Sequence, residues 1–247
     1  DNFKSKTPNK KSNSPDWNIE IAEVKLDDCN FQYEDEHAKH RINEFDEDHI
    51  QFRHLSADID KLSIIGDSTH LQIKQFNAIE QCGFVVTNLQ SMLAINSHEM
   101  NFSELHIITP YSDIKNQFIM RYDSIDDFDD FLSKVRLEAH IDQSTLGFDD
   151  LHFFASELEG MHQKIVLSGV GKGPVDNLKC KNIVAKFGNE SYFNGNMSFK
   201  GLPEVYETFF DISTKDARLN KADLEYLIGQ ELPQEVYQLG NIKYQMK

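Results

Sequence analysis

Trp17-Asn-Ile-Glu-Ile-Ala-Glu-Val-Lys-Leu-Asp-Asp-Cys-Asn-Phe-Gln-Tyr33 (residues 17–33) is the stretch that decides the fold. Trp17, Ile19 and Ile21 fall on one face of an extended chain. The apolar phase then slips by one residue to Val24 and Leu26, as a β-bulge produces, and resumes at Cys29, Phe31 and Tyr33. Asp27-Asp28 reads as a turn signal between two strands. Alternation of this kind predicts strands with one apolar and one wet face.

The same period continues along the chain. Strand-like runs are predicted at Leu55–Ile65, Leu71–Ile79, Phe84–Ile95, Met100–Ile108 and Ile114–Tyr122, joined by short segments such as Gly66-Asp67-Ser68 and Pro110-Tyr111-Ser112. Short connections favour an antiparallel meander. Two helices are expected, from Ser124 to Val135 with Ser124 as N-cap and from Phe148 to Leu158, with a strand at Arg136–Ile141 between them. Later strands are expected at Ile165–Val170, Ile183–Phe187, Tyr192–Phe199, Phe209–Thr214 and Ile242–Met246, and a short helix at Lys221–Ile228. Residues 1–16, rich in Lys, Ser, Asn and Pro, read as a disordered polar linker. Residues 17–247 read as one β segment with a sub-boundary near 124–160, and a chain that opens on Asp1 and ends within a strand-like run is expected to be a piece of a longer protein.

The 247 residues carry 41 acidic against 25 basic side chains, a net charge of −16. That field repels nucleic acid and an anionic bilayer surface, and its plain reading is solubility. Cys29, Cys82 and Cys180 form no CxxC pair and suit neither a zinc knuckle nor a disulfide scaffold. No apolar run is long enough to span a membrane.

Candidate chemistry is sparse. Gly169-Val-Gly-Lys-Gly173 lacks the Ser or Thr that a phosphate loop needs after its Gly-Lys. Read as strand, its glycines continue the face of Ile165 and Leu167. His37-x-x-His40, with Asp35, Glu36 and Asp48 nearby, reads as a solvated charged loop between Glu34 and Asp48, so no metal ligands are assigned. There is no GxSxG elbow, and the acids Asp126, Asp127, Asp129 and Asp130 suit a solvated helix start. No catalytic residues, cofactor or enzymatic activity are expected. What remains is an apolar surface that either closes into an ordinary β core or stays open as a groove.

The order of motifs resembles the translocation/assembly module TamB family of the AsmA-like superfamily. The resemblance rests on residues 17–33 and on Ile50-Gln-Phe-Arg-His-Leu55, Ile79-Glu-Gln-Cys-Gly-Phe84, Leu105-His-Ile-Ile-Thr-Pro-Tyr-Ser112 and Tyr122 through Asp127-Phe128. Phe148-Asp-Asp-Leu-His-Phe-Phe154, Leu167-Ser-Gly-x-Gly-x-Gly173 and Phe193-Asn-Gly-x-Met-x-Phe-x-Gly-Leu-Pro203 complete it. It implies a mainly β fold, a curved antiparallel sheet forming an open U-shaped groove with two or three short helices. It implies a periplasmic segment of an inner-membrane-anchored protein of a Gram-negative bacterium, its anchor outside this chain. The groove would hold phospholipid acyl chains in transit between membranes. A BamA/TamA-type outer-membrane barrel would be the partner, in outer-membrane biogenesis and protein secretion. The alternative is a scaffold or chaperone-like module for outer-membrane protein assembly. The groove candidates are Ile19, Ile21, Phe31, Leu71, Ile73, Leu105, Ile107, Phe118, Met120, Phe193 and Phe199.

Overall fold

The computed structural model describes residues 18–41, 44–204, 207–228 and 242–245; the linker, Trp17 and Met246 lie outside the described residues. The expected meander forms. Strands β1 (Asn18–Glu34), β2 (His49–Ile65), β3 (Ser68–Glu80), β5 (Asn88–Ile95), β6 (Glu99–Ile108), β7 (Asp113–Arg121) and β8 (Arg136–Gly147) follow one another in the sheet. β9 (Lys164–Gly173), β10 (Asn177–Phe187), β11 (Ser191–Lys200), β12 (Phe209–Leu219) and β13 (Ile242–Gln245) continue it in chain order. Every pairing is antiparallel, and β4 (Val85–Val86) adds a short pair on β3. The result is one open, curved antiparallel sheet with a few short helices.

Several expectations are corrected in detail. Asp27-Asp28 is not a turn: β1 runs through it, and Asp28 sits at φ +49° as a bulge. The run at Phe84–Ile95 is two strands, β4 and β5. The two helices expected at Ser124–Val135 and Phe148–Leu158 shrink to single α turns, α1 (Phe131–Lys134) and α2 (Phe148–Leu151), each beside a short 3-10 segment. Both occupy connections at strand ends, where no apolar partner face continues long enough to extend them. α3 (Lys221–Ile228) forms as expected. β7 and β8 pair directly across the first insertion.

A line of bulges crosses the sheet. Asp28, His54, Lys61, Glu104, Gln143 and Asn182 all have φ between +38° and +54°. Each directly precedes an apolar-phase residue, respectively Cys29, Leu55, Leu62, Leu105, Ser144 and Ile183. At each, the phase advances by three residues instead of two, so two residues rather than one intervene on the polar side. Pair registers shift at most of these points. Six exposed extra residues lengthen the polar face, so the sheet bends toward the apolar one, which becomes concave.

A bulge strands a backbone N–H, and polar side chains from neighbouring strands satisfy it. Asp28 N–H donates to Ser56 Oγ (3.1 Å), Gln143 N–H to Ser168 Oγ (3.2 Å), Asn182 N–H to Asn196 Oδ1 (2.9 Å) and Lys115 N–H to Ser144 Oγ (2.8 Å). The Ser91 hydroxyl donates to the Ser103 carbonyl (2.9 Å) beside the bulge between β5 and β6. Ser91 and Ser144, buried on the concave side, are polar interruptions of the apolar face for this reason.

The fully buried apolar set is thin: Leu55, Ala57, Ile73, Ala78, Val86, Ile119, Tyr122, Val135, Phe187, Phe193 and Ala217. One cluster joins Leu55, Ala57 and Ala78 to Cys29, Phe52, Ile59 and Phe76. Extensive contacts between elements run almost entirely between adjacent strands, as in a single layer. Among the described residues no helix is long and apolar enough to cross a membrane.

The bulges make a direct test. Lys61 is exposed at φ +54°, where a β-branched residue is strained by about 1–2 kcal/mol and glycine is not. Lys61→Val is expected to lower the urea midpoint and Lys61→Gly to leave it unchanged or raise it.

Candidate functional site

Residues directly paired across strands project to the same side of a sheet. On one side, Leu71 of β3 pairs with Leu93, and the row continues through Phe102, Phe118, Ala139, Gly171, Cys180 and Met197 to Ile212 of β12 without a break. A second row runs from Ile19 through Ile64, Thr69, Ile95, Met100, Met120 and Leu137 to Gly173. Beyond the β9–β10 turn, Leu178 pairs with Phe199 and Phe199 with Phe210, the last two rings meeting edge to face at 5.5 Å.

Register therefore gathers Ile19, Ile21, Phe31, Leu71, Ile73, Leu105, Ile107, Phe118, Met120, Phe193 and Phe199 on one face. Their surroundings differ. Ile19, Ile21 and Phe31 are exposed, because β1 is the edge strand and, among the described residues, has no neighbour on its far side. Leu71, Leu105, Ile107, Phe118, Met120 and Phe199 are half-buried, while Ile73 is buried. Phe193 is also buried, its ring folded over Gly195 so closely that a Cβ there would lie 2.8 Å from the ring. It forms floor rather than a projecting wall.

The glycines of β9 fall on this face, as the period of two implies. Gly169 at φ +146° also sits under Ile183, whose side chain a Cβ would strike, so any side chain there is strained. Gly171 is different. Its backbone is ordinary, and a Cβ would meet only Cys180 Sγ at 3.7 Å and Leu178 at 3.9 Å. Burial pushes the Cys180 thiol above its usual range. Cys82, half-buried and bonded to Glu80, is pushed up to about 12, and neither is a poised nucleophile.

The opposite face is polar. Its matching row runs Glu20, Ser63, His70, Ala94, Asn101, Ile119, Glu138, Lys172, Lys179, Ser198 and Asp211, unbroken from β1 to β12. Its hub is Glu138, which binds Lys172, His140 Nε2 (2.8 Å) and Arg121 (2.7 Å), while Arg121 also reaches Glu99 (3.0 Å). The acids Glu23, Asp58 and Asp60 converge elsewhere on this side, with Lys25 bound to Glu23 (2.7 Å) and Lys74 to Asp60 (2.5 Å).

At one end of the strands the connections form a polar and aromatic rim. Buried Asp150, just after β8, accepts hydrogen bonds from Thr109 Oγ1 (2.6 Å) and the Ser112 hydroxyl in the β6–β7 turn. Phe153 and Phe154 continue to Phe84, and Phe154 also meets Phe45 of the β1–β2 loop at 5.4 Å. Asp223 of α3 accepts the N–H groups of Asn189, Glu190 and Ser191, each at 2.8 Å, tying α3 to the β10–β11 turn. Sequence reading paired His37 with His40 and left both to solvent. In the structure His37 is 91% exposed, while His40 stacks on His49, which bonds Asp46. The signal was too diffuse to find: Asp46 and His49 lie six and nine residues beyond His40, with no motif spacing.

The fold and this face define a class: an open, single-layer antiparallel sheet with an apolar concave side and an ion-paired convex one. No protein-family model, curated protein or solved structure matches the chain.

Glu138 gives a pH prediction. Lys172, then His140 and Arg121, pull its carboxyl from the ordinary 4.5 down to about 2. A depressed folded-state value adds stability that is present above pH 4.5 and lost as pH falls toward about 2. Denaturation midpoints across that window are expected to fall further for the wild type than for Glu138→Gln.

Proposed function

We propose that this chain is a periplasmic segment of a TamB/AsmA-like protein whose concave face carries phospholipid acyl chains between inner and outer membranes. The observation that carries this reading is the unbroken apolar row from Leu71 to Ile212, lying on a face against which no described element makes a second layer. Acyl chains require a dry surface continuous over many strands, without specific polar contacts, and the row, half-buried from Leu71 to Met197 and exposed at Ile212, fits that need. Ion pairing on the convex side suits the aqueous space through which such a segment would pass. No step of this work involves bond chemistry, so the reading is non-enzymatic and needs no cofactor. Supporting outer-membrane biogenesis alongside a BamA/TamA-type barrel belongs to the same proposal, as does an inner-membrane anchor elsewhere in the protein.

A second reading has its own support. Among the described residues β1 presents an unpaired edge 17 residues long, with Ile19, Ile21, Leu26, Phe31 and Tyr33 exposed along it. An edge of that length can accept a client strand, as a scaffold for outer-membrane protein assembly would.

Photo-crosslinking in cells carrying the full-length protein separates the two. A crosslinker at Phe118, Met120 or Phe199 is expected to capture phospholipid, whereas one at Lys179 on the convex face is not. Capture of unfolded outer-membrane protein at Gln32 of β1, with no lipid at any concave position, would instead favour the scaffold.

Gly171 supplies an independent check. Gly171→Trp places a large ring in mid-trough on unstrained backbone, while Gly171→Ala adds only a methyl group. Under lipid conduction, the Trp variant is expected to lose transport with its melting temperature near that of the Ala variant. Full transport by a folded Gly171→Trp protein argues against conduction along this face.

A further inference from the structure

Between β1 and the start of β2, three side chains, His40, Asp46 and His49, bring their ligand atoms within 4.8 Å of one another. Asp46 and His49 are both 2% exposed, and His40 stands at the surface above them. We propose that His40, Asp46 and His49 bind a zinc ion that locks this loop.

Three features support a metal site rather than a chance grouping. The donor set, two imidazoles and one carboxylate, suits zinc and leaves a fourth position for water on the exposed side. The ligands are also oriented from behind. His49 directs Nδ1 at Asp46 Oδ2 (2.9 Å), while its Nε2–H donates to the Asp35 carbonyl (3.1 Å), the outer contact that fixes a metal-bound imidazole. Asp46 is held through both oxygens, Oδ2 accepting the Arg41 N–H (2.8 Å) and Oδ1 the Asp48 N–H (3.3 Å).

The third feature is His40. Its ring stacks on His49 with centroids 3.7 Å apart, an arrangement that offers no hydrogen bond and that repels when both rings are charged. Nδ1 of His49 faces Asp46 Oδ2 and Nε2 faces the Asp35 carbonyl. Zinc takes the place of the proton shared between Nδ1 and Asp46 Oδ2, which leaves to solvent. A modest swing of the exposed His40 side chain then brings its nitrogen from within 4.8 Å to the separation of about 3.4 Å set by metal–ligand bonds near 2.0–2.1 Å. The consequence reaches the rim. Phe45, in the same loop, packs on Phe154 and donates its N–H to the Phe153 carbonyl (2.7 Å), so a locked loop also holds the connection after β8.

The whole chain, stripped with chelator, is titrated calorimetrically with zinc chloride, with magnesium chloride as control. One zinc per chain in the micromolar range or tighter, with no magnesium uptake, is the expected result. His40→Ala decides between a metal site and a purely structural Asp46–His49 pair, because His40 contributes no hydrogen bond to that pair. It is expected to weaken zinc binding by about tenfold or more while its melting temperature in chelator stays at the wild-type value. Absence of zinc uptake by the wild type, or uptake that His40→Ala weakens by less than about tenfold, overturns the site.

Discussion

The structure depends on keeping apolar side chains on one face of strands that must also bend. A regular strand puts every second residue on that face, and bending it there requires extra length on the other side. Left-handed residues at Asp28, His54, Lys61, Glu104, Gln143 and Asn182 supply that length, two of them in β2. Because each advances the pattern by three, the sequence must advance with it. Leu26 is followed by Cys29, Phe52 by Leu55, Phe102 by Leu105, and Cys180 by Ile183. A shift in one without the other would turn the rest of that strand inside out.

Three otherwise separate properties follow from this constraint. Serines appear on an apolar face because a bulge frees backbone groups that need partners, as Ser144 shows by accepting the Lys115 N–H. The convex face holds the charge, with Glu138 gathering Lys172, His140 and Arg121, because the longer wet side has room for long polar side chains. Ile119 is buried on that face. The sheet also has no thick core. Stability is distributed along pairwise strand contacts and small clusters such as that around Leu55 and Ala57, leaving much of the concave surface half-buried.

Much of this was legible in the residues. Period-two runs and short connections led to the antiparallel meander, but the bulge expected between Ile21 and Val24 is not a register shift of β1 on β2, whose shifts lie at Leu26/Cys29 and Cys29/Phe31. Asp27-Asp28 misled because Asp favours turns and left-handed bulges alike, and local chemistry does not distinguish them. The helices at 124–135 and 148–158 were overestimated because periodic apolar residues there serve rim contacts, such as Phe154 on Phe84 and Phe45, rather than one helical face. Phe193 was read as a groove candidate, and only the neighbouring Gly195 reveals that its ring lies down on the sheet.

The sequence by itself determined the strand order, the choice of face within each strand and the acidity of the molecule, since all three follow from spacing and composition. Tertiary structure alone decided that those faces join into one concave surface and that His40 meets Asp46 and His49. Register between strands, and the meeting of loops that follows from it, depends on bulges whose φ angles no local pattern specifies. A polar residue in an extended run is compatible with either an ordinary or a left-handed backbone until its neighbours choose.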